Sequence, residues 1–223
     1  MNVPAMPAKR FSRLPGHIGF IPDGNRRWAV KHGLSREEGY LAGLAPAFQL
    51  YHLCLELGIK EVSVYGFTKD NTHRSAVQRK AFQTATVEAV RMLSALDAVL
   101  VVIGDSSSPL FPKDLCPFTK RTVFGKGLIK VNFLVNYDWE WDLEQIGRGS
   151  GKKSLMERIG SHDASRIDLV VRWGGRRRLS GFLPVQSVYA DFYIVDALWP
   201  DFEPQQFYDA LEWYDRQDVT LGG

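Results

Sequence analysis

Short apolar runs alternate with amphipathic stretches along most of the chain. HIGFIP at 17–22 is the first run and EVSVYGF at 61–67 the second. Others follow at 99–103, 129–136 (IKVNFLVN) and 167–172 (IDLVVR), with a weaker sixth at 189–195. Each is bounded by turn-forming residues, which predicts buried strands. Between them apolar positions recur at helical spacing. Leu41, Leu44, Phe48, Tyr51 and Leu55 mark one face of a helix over 37–57, closed by Gly58. Further helices are predicted over 26–32, 76–96 and 207–216. Strands apolar throughout and alternating with helices predict an α/β fold: a single domain with a mostly parallel six-stranded sheet flanked by helices.

Residues 1–16 carry Lys9, Arg10 and Arg13 but no apolar block follows them, so they read as a flexible leader to a domain at 17–223, not as a secretion signal. The Gly/Ser/Lys-rich stretch 148–153 reads as a mobile loop. The 223 residues, 45% apolar and 24% charged, suit one globular domain. No apolar run approaches the ~20 residues of a transmembrane segment. Cys54 and Cys116 are too few for a disulfide framework, and the expected compartment is the cytoplasm. The net charge is only +3, but arginines gather beside glycines at 26–27, 172 and 176–178. That grouping favours a small anionic ligand over a nucleic acid.

Parallel sheets bind ligands beyond the carboxyl ends of their strands. Asp23, Gly24, Asn25, Arg26 and Arg27 follow the first predicted strand, and Thr68, Asp70, Asn71 and Arg74 the second. Arg172, Gly174, Gly175, Arg178 and Ser180 follow the fifth. The three groups should therefore meet at one edge. Glycine lets backbone approach a ligand, and arginine forks match diphosphate oxygens. Asp23, a carboxylate among cations, could hold Mg2+ together with substrate phosphates. Singly, Asp-Gly-Asn is an ordinary turn and three arginines are a solvated face. Their concurrence at three strand ends is what favours a site. The chain has no P-loop, dinucleotide fingerprint, His/Cys metal spacing or nucleophile elbow.

HIGFIPDGNRRWA at 17–29, VSVYGFTKDNTHR at 62–74 and RWGGRRRLSGFLPVQSVYADFYIVDALWPDF at 172–202 resemble, in order and spacing, the main blocks of the undecaprenyl diphosphate synthase (cis-prenyltransferase) family. IGD at 103–105 and NFLVNY at 132–137 resemble two further landmarks. The resemblance implies a homodimer of six-stranded sheets, each subunit with an elongated hydrophobic tunnel. It implies an enzyme that uses Mg2+ to join an allylic diphosphate to isopentenyl diphosphate. Asp23 matches the Mg2+-linked catalytic aspartate, and Asp191 stands where the family has a metal-linked glutamate. Gly24, Asn25, Arg27 and Arg36 match groups holding the allylic diphosphate, with Arg26 and Tyr40 among them. Arg172, Arg178 and Ser180 match the isopentenyl diphosphate site. Asn71 and Arg74 match the loop beside the reacting carbons.

The chain departs from the family pattern at Tyr40 (histidine), Thr72 (tryptophan), Arg26 (glycine) and Arg176 (glutamate). Thr220-Leu221-Gly222 lacks the arginine of the terminal Arg-x-Gly. Divergent members with similar features couple two allylic diphosphates head-to-middle (lavandulyl-type), with dimethylallyl diphosphate as second substrate and in some cases cyclisation. That chemistry is one alternative, and a non-catalytic prenyltransferase subunit is another. The retained Asp23, Arg27, Arg172, Arg178 and Ser180 argue against the latter. Phe133, Leu134 and Val135 stand where long-chain synthases often carry smaller side chains, and 142–168 is shorter than its counterpart. Both features imply a short product of C10 to C20, set against the plainer expectation that Phe133 simply packs in the core.

Overall fold

In the computed structural model, which describes residues 11–148 and 154–218, every predicted apolar run contributes a strand. These are β1 (His17–Ile21), β2 (Glu61–Tyr65), β3 (Ala98–Ile103), β5 (Ile129–Leu134), β6 (Leu169–Arg172) and β7 (Asp191–Ile194). A further strand, β4 (Thr122–Val123), pairs antiparallel with β3 at the sheet edge. The sheet therefore has seven strands, in the order β4-β3-β5-β2-β1-β6-β7, and all its other pairings are parallel. Two exposed residues carry no periodicity, which is why the sequence pattern shows six strands rather than seven.

The helices are α1 (Asn25–Lys31), α2 (Glu38–Ala42), α3 (Leu44–Glu56), α4 (Ala76–Ser94), α5 (Trp139–Glu144) and α6 (Pro204–Asp215). The single helix expected over 37–57 is broken at Gly43. Pro46 has no N–H to offer the turn before it. A Cβ at Gly43 would lie 2.9 Å from the Trp199 ring, and the Gly43 carbonyl accepts the Trp199 indole N–H at 2.9 Å. The break thus seats Trp199 against the helix pair.

Alternation along the strands sends side chains to opposite faces. One face carries the larger core, with Phe20, Leu100, Val131 and Phe133 under α3, α4 and α6. The other carries a smaller core around Ile103, Leu134, Tyr137 and Val170. Leu134 therefore lies across the sheet from Phe133.

Part of the expected leader belongs to the domain. The Ser12 hydroxyl donates to Asp215 at 2.6 Å, and Arg13 Nη2 donates to the Tyr214 carbonyl at 2.6 Å, with its guanidinium 4.0 Å above the Tyr214 ring. Residues 1–10 lie outside the described residues, as do 149–153 of the expected loop and the terminal 220–222.

At the amino end of the sheet a polar network runs through the core. His17 Nε2 lies 2.9 Å from the Ser63 hydroxyl and Nδ1 3.0 Å from the Ser165 carbonyl. Glu61 accepts from Asn132 at 2.7 Å and from the Ser165 hydroxyl at 2.8 Å. Burial holds the His17 imidazole below its ordinary value of 6.5, although Glu61 pulls it upward. A folded value below the unfolded one means the unfolded chain binds more protons, so this contribution is present above about pH 6.5 and is lost as pH falls. The urea midpoint is expected to drop between pH 7 and 5, and His17→Gln to flatten that drop. An unchanged pH slope in the variant would assign the dependence to other groups.

Candidate active site

The carboxyl ends of β1, β2 and β6 converge on one cleft. Chain geometry, more than any one side chain, brings the first and third loops together. Gly24 caps α1 at φ 118°. The Asp23 carbonyl accepts the Trp199 N–H at 3.0 Å, and the Gly174 N–H donates to the Ala197 carbonyl at 2.8 Å. A Cβ at Gly174 (φ 86°) would meet the Arg27 guanidinium and lie 2.9 Å from the Asp23 carbonyl. Only glycine permits that approach.

Asp23 is the hub. Its Oδ2 accepts from Arg172 Nη2 at 2.8 Å, and Arg27 Nη2 lies 3.4 Å from Oδ1. Arg172, 3% exposed at the end of β6, also donates through Nη1 to the Ser180 hydroxyl at 2.9 Å and to the Arg178 carbonyl. Ser180 holds φ 56°, and its carbonyl accepts the Tyr65 hydroxyl at 2.7 Å. A left-handed non-glycine residue held by two partners marks a place where the fold enforces a shape. On the second loop, Asn71 donates to the Thr68 hydroxyl, and Arg74 Nη1 donates to the Tyr40 hydroxyl at 3.0 Å. Burial lowers the Arg74 guanidinium from its ordinary value; Tyr40 opposes this, and Arg26 adds to it. Asn25 Nδ2 donates to the Pro22 carbonyl at 3.3 Å, while its Oδ1 is buried with no hydrogen-bond partner among the described residues.

The cleft, about 480 Å³, gathers Asp23, Gly24, Asn25, Arg26, Arg27, Tyr40, Asn71, Arg74, Arg172, Arg178 and Ser180, with Arg176 beside them. Among the described residues, six arginines thus face one carboxylate. Two expected residues are not brought there. Arg36 is exposed in the connection between α1 and α2, outside the cleft lining. Asp191 pairs with Leu169 at the start of β7, whereas Arg172, at the cleft, pairs with Ile194. Three residues of strand put Asp191 about 10 Å toward the opposite end of the sheet. It cannot share an ion with Asp23 of its own chain. Burial raises the Asp191 carboxyl, partly offset by nearby Arg13.

Behind the cleft lies an apolar cavity of about 110 Å³ between the sheet and α3 and α4. Pro22, Asn25, Tyr40, Tyr65, Gly66 and Phe82 line both spaces, so they form the passage between them. Phe133 and Val131 line the cavity, and Leu134 does not. Sequence reasoning missed Tyr65, Gly66 and Phe82. The strand-end logic that found Thr68 reaches Tyr65 and Gly66 as well. Phe82 is marked by the spacing Phe82, Ala85, Ala89 along α4.

A basic cleft that opens on a hydrocarbon-lined cavity defines a protein for molecules with an anionic head and an apolar tail. The undecaprenyl diphosphate synthase family of prenyltransferases matches residues 21–222. An isoprenyl transferase of Leptospira interrogans is 30% identical over 95% of this chain and 96% of its own. The ditrans,polycis-undecaprenyl-diphosphate synthase ((2E,6E)-farnesyl-diphosphate specific) of Yersinia pseudotuberculosis is 32% identical over 95% and 91%. The crystal structure of lavandulyl diphosphate synthase from Lavandula x intermedia, in complex with dimethylallyl diphosphate, shares the fold with a TM-score of 0.82, covering 94% of this chain and 99% of that one at 23% identity. The chain belongs to the undecaprenyl diphosphate synthase family of prenyltransferases. No described helix is long and apolar enough to cross a membrane.

Proposed function

We propose that this chain is a cis-type isoprenyl diphosphate synthase that condenses an allylic diphosphate with isopentenyl diphosphate and makes a short product. The observation that carries this reading is the continuity of the arginine cleft with the apolar cavity through residues common to both. Arg27 and Arg26, at the start of α1, suit the allylic diphosphate. Arg172, Arg178 and Ser180, on the third loop, suit the other. In that arrangement the allylic tail enters the cavity, and its first carbon lies near Asn71 and Arg74. The double bond of the second substrate attacks that carbon as the C–O bond to diphosphate breaks, and a proton leaves the new intermediate. The arginines bind the departing charge, and the apolar walls keep water from the cation.

Mg2+ fits this donor set as an ion carried with substrate. Asp23 offers one carboxylate, one-third exposed and the only acidic side chain lining the cleft among the described residues. The ion typically takes its remaining ligands from phosphate oxygens and water. When bound it supplies positive charge to the leaving group. The homodimer implied by the resemblance is part of this reading. Exposed Val188 and Tyr189, next to edge strand β7, offer apolar surface for it.

The cavity size supports a short product. An engineered cavity of about 150 Å³ holds one benzene, so the 110 Å³ here leaves no room for a long polyprenyl tail. Products of C10 to C20 are therefore expected from dimethylallyl, geranyl or farnesyl diphosphate with isopentenyl diphosphate and Mg2+, read by mass analysis after dephosphorylation. Phe133→Ala should lengthen them, at a cost in stability of about 3–5 kcal/mol. Polyprenyl products of C50 or longer from the unmodified protein would overturn the short-product reading. Because Leu134 faces away, Leu134→Ala should leave product length unchanged.

Head-to-middle coupling of two allylic diphosphates is the second reading. Arg26 and Arg176, both departures from the family pattern, line the cleft and favour it. Product formed from dimethylallyl diphosphate alone would select that chemistry, and an absolute need for isopentenyl diphosphate would exclude it.

A further inference from the structure

The passage between the cleft and the cavity is built from a locked set of side chains. Tyr40, from α2, and Phe82, from α4, stack with ring planes within 5° and centroids 4.6 Å apart. Phe67, fully buried, packs edge-to-face with Phe82 at a centroid distance of 5.4 Å. The Arg74 guanidinium lies 5.2 Å from the Phe82 ring and 5.8 Å from the Tyr40 ring, and its hydrogen bond to the Tyr40 hydroxyl fixes the pair from the cleft side. Tyr40 itself is 5% exposed. Three elements therefore hold Phe82 in place, and neither ring can swing aside without losing packed contacts.

Bulk along α4 is distributed unevenly. The lining residues run Phe82, Ala85, Thr86, Ala89, Leu93 from the mouth inward. Small side chains stand behind a large one, so the constriction lies at the entrance rather than along the α4 wall behind it. A tail of one isoprenyl unit needs to reach only the throat. A tail of two or three must run past the stacked rings into the space opened by Ala85 and Ala89.

We propose that Phe82, held by Tyr40, Phe67 and Arg74, is the specificity-determining residue of a throat that selects a dimethylallyl-sized allylic diphosphate over geranyl and farnesyl diphosphates. The proposal rests on the prenyltransferase reading above and adds to it the size class of the allylic substrate. Phe133 has a different effect, since it lines the cavity beyond the throat and bears on how far a product can grow. Phe82 bears on which substrate enters.

The test compares kcat/KM for dimethylallyl, geranyl and farnesyl diphosphates, at fixed isopentenyl diphosphate and Mg2+, in the unmodified protein, Phe82→Ala and Phe82→Leu. Pocket contacts of one or a few methylenes discriminate by roughly 10–200-fold. The unmodified protein is expected to prefer dimethylallyl diphosphate. Phe82→Ala should raise the farnesyl-to-dimethylallyl ratio at least about tenfold, and Phe82→Leu should raise it by less. Should Phe82→Ala fail to unfold cooperatively, Phe82→Leu alone decides. An unmodified protein that already favours farnesyl diphosphate overturns the throat, as does a folded variant whose ratio stays within about twofold of the original. In both cases the protein still turns over, so the prenyltransferase reading stands. No turnover with any pair of diphosphates, with or without isopentenyl diphosphate, removes that reading and the throat together.

Discussion

Asp23→Ala is expected to lower turnover by about 10³-fold or more, with cooperative unfolding retained. The carboxylate is one-third exposed at the end of β1 and joins Arg172 and Arg27 at the point where two loops meet. Among the described residues it is also the only acidic side chain lining the cleft, and so the carboxylate they offer there to a divalent ion. Removing a preorganised electrostatic group typically costs 10²–10³ in rate, and losing the ion with it adds to that. Asp23→Asn preserves a hydrogen-bond acceptor for Arg172 without the charge, so it separates shape from charge. If charge is what matters, Asn should be nearly as inactive as Ala while unfolding closer to the unmodified protein. Near-normal turnover in either variant, or in excess chelator, would refute the role.

Arg172→Lys is the second large effect, expected at about 10²-fold in kcat/KM. The charge survives this change and the fork does not. Arg172 uses Nη2 for Asp23 and Nη1 for Ser180 and the Arg178 carbonyl, three acceptors in different directions. A lysine ammonium is a point charge that cannot span them from one buried position. The third loop should then lose its left-handed turn at Ser180. The KM for the diphosphate it holds should rise more than that for the other. Arg178→Ala, exposed at the rim, should show the same selectivity with a smaller loss. Equal rises for both substrates would show that the cleft is not divided between α1 and the third loop.

The sheet was legible because parallel strands are apolar on both faces, so each announces itself as a short run. The break at Gly43 was not, because α2 and α3 lie on one amphipathic period, and it takes the fit of Trp199 together with Pro46 to separate them. The site was legible through its strand ends. Asp23, Asn71 and Arg172 are far apart in sequence, yet the rule that parallel strands open their carboxyl ends to ligands brings them together. Asp191 fell outside that rule because it opens its strand instead of following it. The placement of Phe133 and Leu134 on opposite faces follows from strand alternation alone. The spacing of Phe82, Ala85 and Ala89 marks one face of α4, but a phenylalanine on such a face reads as core until the neighbouring cleft is seen. The His17, Glu61 and Asn132 network was likewise invisible, since each residue sits inside an otherwise ordinary strand.

The imbalance of six arginines against one carboxylate among the described residues also has effects beyond contact distance. In the free protein these like charges are packed at one mouth with low-dielectric walls behind them, which projects a positive field into solvent. Polyanions are drawn to that mouth faster than neutral diffusion allows, and the gain fades as added salt shortens the Debye length below about 10 Å. Substrate capture at low concentration should therefore slow with ionic strength while turnover at saturation holds. Inorganic phosphate or pyrophosphate in the buffer should occupy the same mouth and compete with both substrates, so the choice of buffer anion sets the apparent affinity.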